Sequence, residues 1–159
     1  MLPDKIKQLS VSINSAPCGD LLRHAVFEFR YARHSSDQDG VGLLMPPTRP
    51  SYQDGDLFPV MDQNLPEGDL FLRLRQLYPK QPLGAMHLLA LSGSNGIGRL
   101  GFSLPDVAVQ ASARLLTKAE LLRTPYTPDV FNDLVNAYLS TGAGIAGMQP
   151  KIMVPEWAA

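Results

Sequence analysis

Gln8-Leu9-Ser10-Val11-Ser12-Ile13, followed by Gly19-Asp20-Leu21-Leu22 and Phe27-Glu28-Phe29-Arg30-Tyr31, is the stretch whose reading decides the fold. Leu9, Val11 and Ile13 alternate with Gln8, Ser10 and Ser12, the two-residue period of a strand with one face buried and the other in water. Asn14-Ser15-Ala16-Pro17 supplies turn chemistry, so Gly19 to Leu22 reads as the returning strand. Phe27, Phe29 and Tyr31 alternate with Glu28 and Arg30, the clearest strand signal in the chain. Val41 to Met45 reads as a fourth strand, apolar on both faces. Residues 1–45 are therefore expected to form a small antiparallel sheet.

Beyond the sheet the period changes. Pro46-Pro47-Thr48-Arg49-Pro50 and Gln53-Asp54-Gly55-Asp56 read as a long irregular connection. Pro66 suits the first turn of a helix, where a missing N–H removes no bond. Leu70, Leu74, Leu77 and Tyr78 then fall on one helical stripe, while Arg73, Arg75 and Gln76 face outward. Pro79 and Pro82 end that helix. Leu83 to Leu91 is a second, strongly apolar helix closed by Ser92-Gly93-Ser94-Asn95-Gly96, and Ile97 to Leu104 reads as a strand ended by Pro105. Thr117-Lys118-Ala119-Glu120 is a capping box, in which each side chain satisfies a free N–H at a helix start. Thr127-Pro128 opens a further helix with Val130, Phe131, Leu134, Val135, Tyr138 and Leu139 on its buried face. A glycine-rich run, Ser140 to Lys151, leads into a short apolar strand from Ile152 to Val154. The fold class expected is α+β, with residues 1–105 forming one unit and residues 106–159 a second.

Composition narrows the function. Of 159 residues, 45% are hydrophobic and 18% charged, enough apolar content to bury a core. A net charge of −1 with no basic run argues against direct nucleic-acid binding, which needs clustered Lys and Arg to neutralise phosphates. The single cysteine, Cys18, rules out an intrachain disulfide and a multi-cysteine zinc site and fits a reducing cytoplasm. No apolar stretch nears the ~20 residues that span a bilayer. A cytoplasmic protein away from membranes is expected. His24, His34 and His87 are too scattered to suggest a metal site, and His87 reads as a core residue with a hydrogen-bond partner.

Two stretches match G-x-G-x-x-G: Gly96 to Gly101 and Gly142 to Gly147. A dinucleotide site needs a strand before the glycines and a helix after them, and here the order is reversed. The first match reads as a tight turn followed by close strand packing. The second is followed by Lys151. Its glycines let backbone N–H groups approach a phosphate and the ammonium adds charge, so it reads either as a kinase-type phosphate cover or as a flexible linker. Ser92-Gly93-Ser94-Asn95-Gly96 is not a nucleophile elbow, because a helix precedes it and serine occupies its first position. The Arg73 and Arg75 face reads as a solvated helix surface or a protein contact.

Several pieces, in order, resemble the HipA family of bacterial serine/threonine kinase toxins. Leu9 to Asn14 with Gly19-Asp20-Leu21 is similar to the family's opening hairpin, and Phe27-Glu28-Phe29-Arg30-Tyr31 to its F-x-Y strand. Asn64-Leu65-Pro66-Glu67-Gly68 resembles its L-P-E-G helix start. Leu88-Leu89-Ala90-Leu91 with Gly98-Arg99-Leu100-Gly101 resembles the helix and strand that follow. Ala146-Gly147-Met148-Gln149-Pro150-Lys151 resembles the A-G-x-Q-x-K stretch that covers ATP phosphates in these kinases. The resemblance implies that residues 1–105 are a HipA N-terminal subdomain and that 106–159 begin the kinase N-lobe. It places ATP contacts on Ala146, Gly147, Met148, Gln149, Pro150 and Lys151, with ATP and Mg bound only in a complete kinase. Gly144 stands where the family often has a regulatory serine. The catalytic Asp and the Mg-holding acids lie downstream of this loop in the family, so the 159 residues are expected to be incompetent alone. Implied partners are a kinase C-terminal lobe or separate kinase subunit, and a HipB-like helix-turn-helix antitoxin. The other role the family suggests is a stand-alone HipS-like binding module.

Overall fold

The computed structural model describes residues 3–32, 40–93, 98–105 and 117–140, and for 136–140 the backbone alone. Five strands form one antiparallel sheet in the order β4-β3-β2-β1-β5. They are β1 (Gln8–Ile13), β2 (Ala16–Arg23), β3 (Phe27–Tyr31), β4 (Ser51–Asp54) and β5 (Leu100–Ser103). The helices are α1 (Pro59–Asp62), α2 (Gly68–Leu77), α3 (Ala85–Ser92), α4 (Lys118–Arg123) and α5 (Pro128–Ser140). The α+β expectation holds for the described residues.

The hairpin turn is tighter than the sequence suggested. Ile13 pairs with Ala16, leaving Asn14 and Ser15 alone in the loop, both at positive φ (50° and 68°). That is the left-handed geometry whose twist matches the flanking strands, and Asn tolerates it well. Ala16 and Pro17 therefore belong to β2. Between Val11 and Ser12 the register shifts by one residue, since Val11 faces Gly19 while Ser12 faces Pro17. The extra residue is Cys18, and this bulge lets both Cys18 and Leu21 point into the core. Gly19 is required there: a Cβ would lie 2.2 Å from the Arg30 carbonyl oxygen.

The period-two pattern delivers one apolar face. Leu9 pairs with Leu21, Leu21 with Phe29 and Phe29 with Tyr52, giving a row across four strands. Leu9, Leu21 and Phe29 have no exposed surface, and each such burial contributes about 1.5–3 kcal/mol. Val11 and Ile13 face Phe102 and Leu100 on β5 and extend the same layer. Met86 and Leu89 from α3, Met61 from α1, and Phe58, Val41 and Met45 complete the core. The opposite face carries Ser103, Ser10, Asp20, Arg30 and Ser51 in register.

Three sequence expectations are corrected. Val41 to Met45 is a tight turn, closed by the Met45 N–H to the Gly42 carbonyl at 3.0 Å, and not a strand. Its buried ends gave the apolar signal. The free edge of β3 is taken instead by Ser51–Asp54, which had read as irregular connection. The helix expected from Pro66 begins at Gly68, whose φ of 54° delays entry. Leu70 and Leu74 on it are buried as expected, but Leu77 stands in solvent. Leu70, Leu74, Leu134 and Val135 are buried outside the main core. Arg73 on α2 bonds Asp69 at 2.5 Å and Asn132 on α5 at 3.1 Å, so it ties two helices together.

Candidate functional site

The residues expected to hold ATP phosphates, Ala146, Gly147, Met148, Gln149, Pro150 and Lys151, lie outside the described residues, as do the second glycine motif and the strand from Ile152 to Val154. Of the first motif, Gly98, Arg99, Leu100 and Gly101 are described. Gly98 takes a φ of 116°, and a Cβ on Gly101 would lie 2.5 Å from Ser12 Oγ on the neighbouring strand. These glycines serve a turn and close strand packing, as their order had suggested.

A cleft of about 490 Å³ opens where the segment before β1, the end of β2 and the start of α3 meet. Lys5, Lys7, Arg23 and His24 line it, with Asp4 as the one carboxylate. Gly84, Ala85 and Met86 at the amino end of α3 form the facing wall. No side chain caps that helix start. The cleft is built by specific bonds. His87, 7% exposed, sets its Nε2 3.1 Å from the Pro3 carbonyl, which requires Nε2 to carry the proton. The Arg23 amide donates to the Lys7 carbonyl at 2.8 Å. The Arg23 guanidinium donates to the Ala25 carbonyl at 2.9 Å and stacks over the Phe27 ring at 4.3 Å. His87 is thus the core histidine with a partner that its apolar helix implied. The cleft escaped sequence reading because Lys5 and Lys7 meet Arg23 and His24 only once β1 and β2 have paired, and α3 lies far along the chain from both.

A second feature is apolar. Leu43 and Leu44, at the tip of the Gly42–Met45 turn, are 101% and 89% exposed. The turn is tied to the sheet: the Tyr31 hydroxyl accepts the Val41 N–H at 2.9 Å and donates to the Met45 carbonyl. Burial holds the Tyr31 phenol above its ordinary pKa. A smaller groove of about 230 Å³ lies among Leu121, Thr124, Tyr126, Val130, Phe131 and Leu134, between α4 and α5. On the Arg73 and Arg75 face, Arg73 is engaged by Asp69 and Asn132, while Arg75 is exposed, its guanidinium 5.9 Å from the Phe71 ring centroid. Among the described residues no group of three or more His, Cys, Asp or Glu could hold a metal ion, and no helix is long and apolar enough to cross a membrane.

The fold defines the class first: a five-stranded antiparallel sheet, opened by a bulged hairpin and backed on one face by short helices. A family profile described as HipA N-terminal domain matches residues 9–103, and the chain belongs to that family. A solved structure titled "N-terminal domain of HipA toxin" is similar at 17% identity and a TM-score of 0.50, covering 67% of this chain and 100% of its own, a likeness of fold. No curated protein sequence matches.

Proposed function

We propose that the chain is the N-terminal region of a HipA-like toxin–antitoxin serine/threonine kinase. In this reading residues 1–105 are the N-terminal subdomain and residues 106–159 open the kinase N-lobe. Ala146 to Lys151 cover the phosphates of ATP, and the catalytic groups and Mg ligands come from a C-terminal lobe or a separate kinase subunit. Family membership across residues 9–103 carries the proposal. The sequence Ala146-Gly147-Met148-Gln149-Pro150-Lys151 supports the nucleotide contact, because closely approaching amides and one ammonium suit a polyphosphate. A HipB-like helix-turn-helix protein is the DNA-binding partner in this reading, in keeping with the chain's own net charge of −1. The test is nucleotide affinity of a kinase-length protein carrying Lys151→Ala. A loss of tenfold or more supports the loop, and unchanged affinity removes it.

The exposed Leu43 and Leu44, on a turn bonded at both ends to the Tyr31 hydroxyl, favour a second reading, a HipS-like module that binds a kinase in trans. An in-phase frame continuing into catalytic sequence supports the first reading. A stop codon followed by a separate kinase gene supports the second.

A further inference from the structure

We propose that the outer edge of β4 docks a second copy of this chain, the two β4 strands pairing antiparallel about a two-fold axis at Tyr52. The proposal uses none of residues 146–151 and stands independently of both functional readings.

The register shows which groups are free. The Tyr31 amide donates to the Pro50 carbonyl at 2.9 Å, so the alternation of an antiparallel ladder turns the backbone groups of Tyr52 and Asp54 toward β3. Those of Ser51 and Gln53 then point away from the sheet, and no backbone hydrogen bond among the described residues reaches them. Pro50 falls in the phase that faces β3, so its missing N–H leaves the outer edge intact. Ser51–Asp54 contains no Lys, no Pro and no bulge, the common devices that keep an edge from pairing. The sheet's other edge is treated differently. On β5 the Phe102 amide is taken by the Gly93 carbonyl at the end of α3.

Three features select a second copy as the occupant. First, the charges along this edge are self-complementary. Arg49 precedes β4, and Asp54 and Asp56 lie at and just beyond its end. All three are exposed, and none is ion-paired among the described residues, where the ion pairs are Arg30–Glu28 and Arg73–Asp69. Antiparallel pairing of two identical strands sets Arg49 of each copy beside Asp54 and Asp56 of the other, whereas parallel pairing sets like charges together. Second, the hydrogen-bonding phase fits that register. With Tyr52 opposite Tyr52 of the second copy, Ser51 faces Gln53, and these are the residues whose N–H and C=O groups point outward. Third, Arg49 then falls opposite Gly55, where nothing lies within 4 Å of the place a side chain would begin, so the guanidinium has room. Arg49 is already oriented, its guanidinium 5.1 Å from the Tyr52 ring centroid, which lowers the entropy lost on pairing. The contact is small, so association is reversible and concentration-dependent.

The full chain is followed by sedimentation velocity over a wide concentration range, with amide hydrogen exchange measured alongside. A dimer is expected, with exchange at Ser51 and Gln53 slowing as it forms and exchange at Tyr52, already bonded to β3, unchanged. Gln53→Pro removes one outward N–H and no bond to β3, and Arg49→Asp reverses one charge. Each should weaken association at least tenfold, and Arg49→Asp/Asp56→Arg should associate more tightly than Arg49→Asp alone. Lys7→Glu, a comparable charge change before β1 across the sheet, should dimerise as the parent does. Arg49 is exposed, so Arg49→Asp decides the matter where the proline disturbs β4, which exchange at core amides such as Phe29 reveals. The proposal is overturned by a chain that stays monomeric throughout, or by equal affinity in Arg49→Asp. It is also overturned by a dimer that survives Gln53→Pro and disappears in Leu43→Ser/Leu44→Ser, which would place the contact on the turn.

Discussion

The Gly93 carbonyl accepts the Phe102 amide at 2.9 Å, and a Cβ on Gly93 would lie 2.7 Å from the Phe102 Cβ. The end of α3 and the edge strand β5 therefore meet with no room for a side chain between them. The same Cβ would stand 2.5 Å from the Leu89 carbonyl oxygen, so neither neighbour can yield cheaply. Gly93→Ala is expected to destabilise by about 1–3 kcal/mol, the scale of overpacking in a closely packed contact. Gly55→Ala, where nothing lies within 4 Å, is the control and should leave the urea midpoint nearly unchanged. Equal midpoints for the two variants would show that β5 docks on α3 less tightly than this geometry states.

Tyr31 joins the sheet to the turn that displays Leu43 and Leu44. Tyr31→Phe keeps the edge-to-face contact with Phe29, whose ring centroid is 4.7 Å away, but leaves the Val41 N–H and the Met45 carbonyl without their partner. A loss of about 1–3 kcal/mol at neutral pH is expected, the penalty for unsatisfied buried polar groups. The sign with pH follows from burial. A phenol whose pKa is raised in the folded state stabilises fully below its unfolded value of about 10 and loses that contribution as pH rises through the folded value. The gap between wild type and Tyr31→Phe, measured by urea titration, should hold from neutral to mildly alkaline pH and narrow only beyond it.

How far the sequence could be read is clearest by comparing Phe29 with Ser51. Phe29 lies in an alternating run, and alternation is a local consequence of strand geometry, so β1, β2 and β3 were legible as strands and β1 with its buried face, whereas Glu28 is buried between Phe27 and Phe29 and the Cys18–Leu21 face of β2 depends on the bulge. Ser51–Asp54 has no such pattern and contains no aliphatic residue. It becomes a strand because β3 has an unpaired edge and Tyr52 fits beside Phe29, which is a tertiary fact. Val41 and Met45 mislead for the complementary reason: two buried side chains four apart resemble a short strand until the Gly42–Met45 hydrogen bond closes a turn between them. Of the candidate sites, the glycine loop was visible because its residues are consecutive. The cationic cleft was not, because Lys5, Lys7 and Arg23 meet only once β1 and β2 have paired and Pro3 has docked on His87.

The capping box is a local device that can be tested locally. Thr117 Oγ1 accepts the Glu120 amide at 3.2 Å, and the Glu120 carboxylate accepts the Thr117 amide at 2.8 Å. Helix α4 buries no residue, so its termini rather than a packed face hold it together. Thr117→Ala should weaken α4 by about 1 kcal/mol. Amide hydrogen exchange should report this as roughly fivefold faster exchange at Leu121, with core amides such as Phe29 unchanged. An equal acceleration in the core would mean that α4 opens only with the whole domain.

Glu28 gives the acid side of the stability profile. Its carboxylate is held below the ordinary glutamate range chiefly by the Arg30 guanidinium, whose Nε lies 2.6 Å from Oε1, and Gln53 on β4 adds a further hydrogen bond. Burial acts in the opposite direction and is outweighed. A depressed folded pKa means the contribution is present above the unfolded value of about 4.3 and disappears as pH falls through the folded value. Glu28→Gln keeps the shape and removes the charge, so the variant should be less stable than wild type at pH 7 and converge with it in acid. The difference is expected to be small, because the Arg30 side chain is 58% exposed and solvent screens the pair. Thermal midpoints for both proteins from neutral pH down to pH 3 provide the check. A gap that stays constant across that range would assign the effect to packing between β3 and β4 rather than to the ion pair.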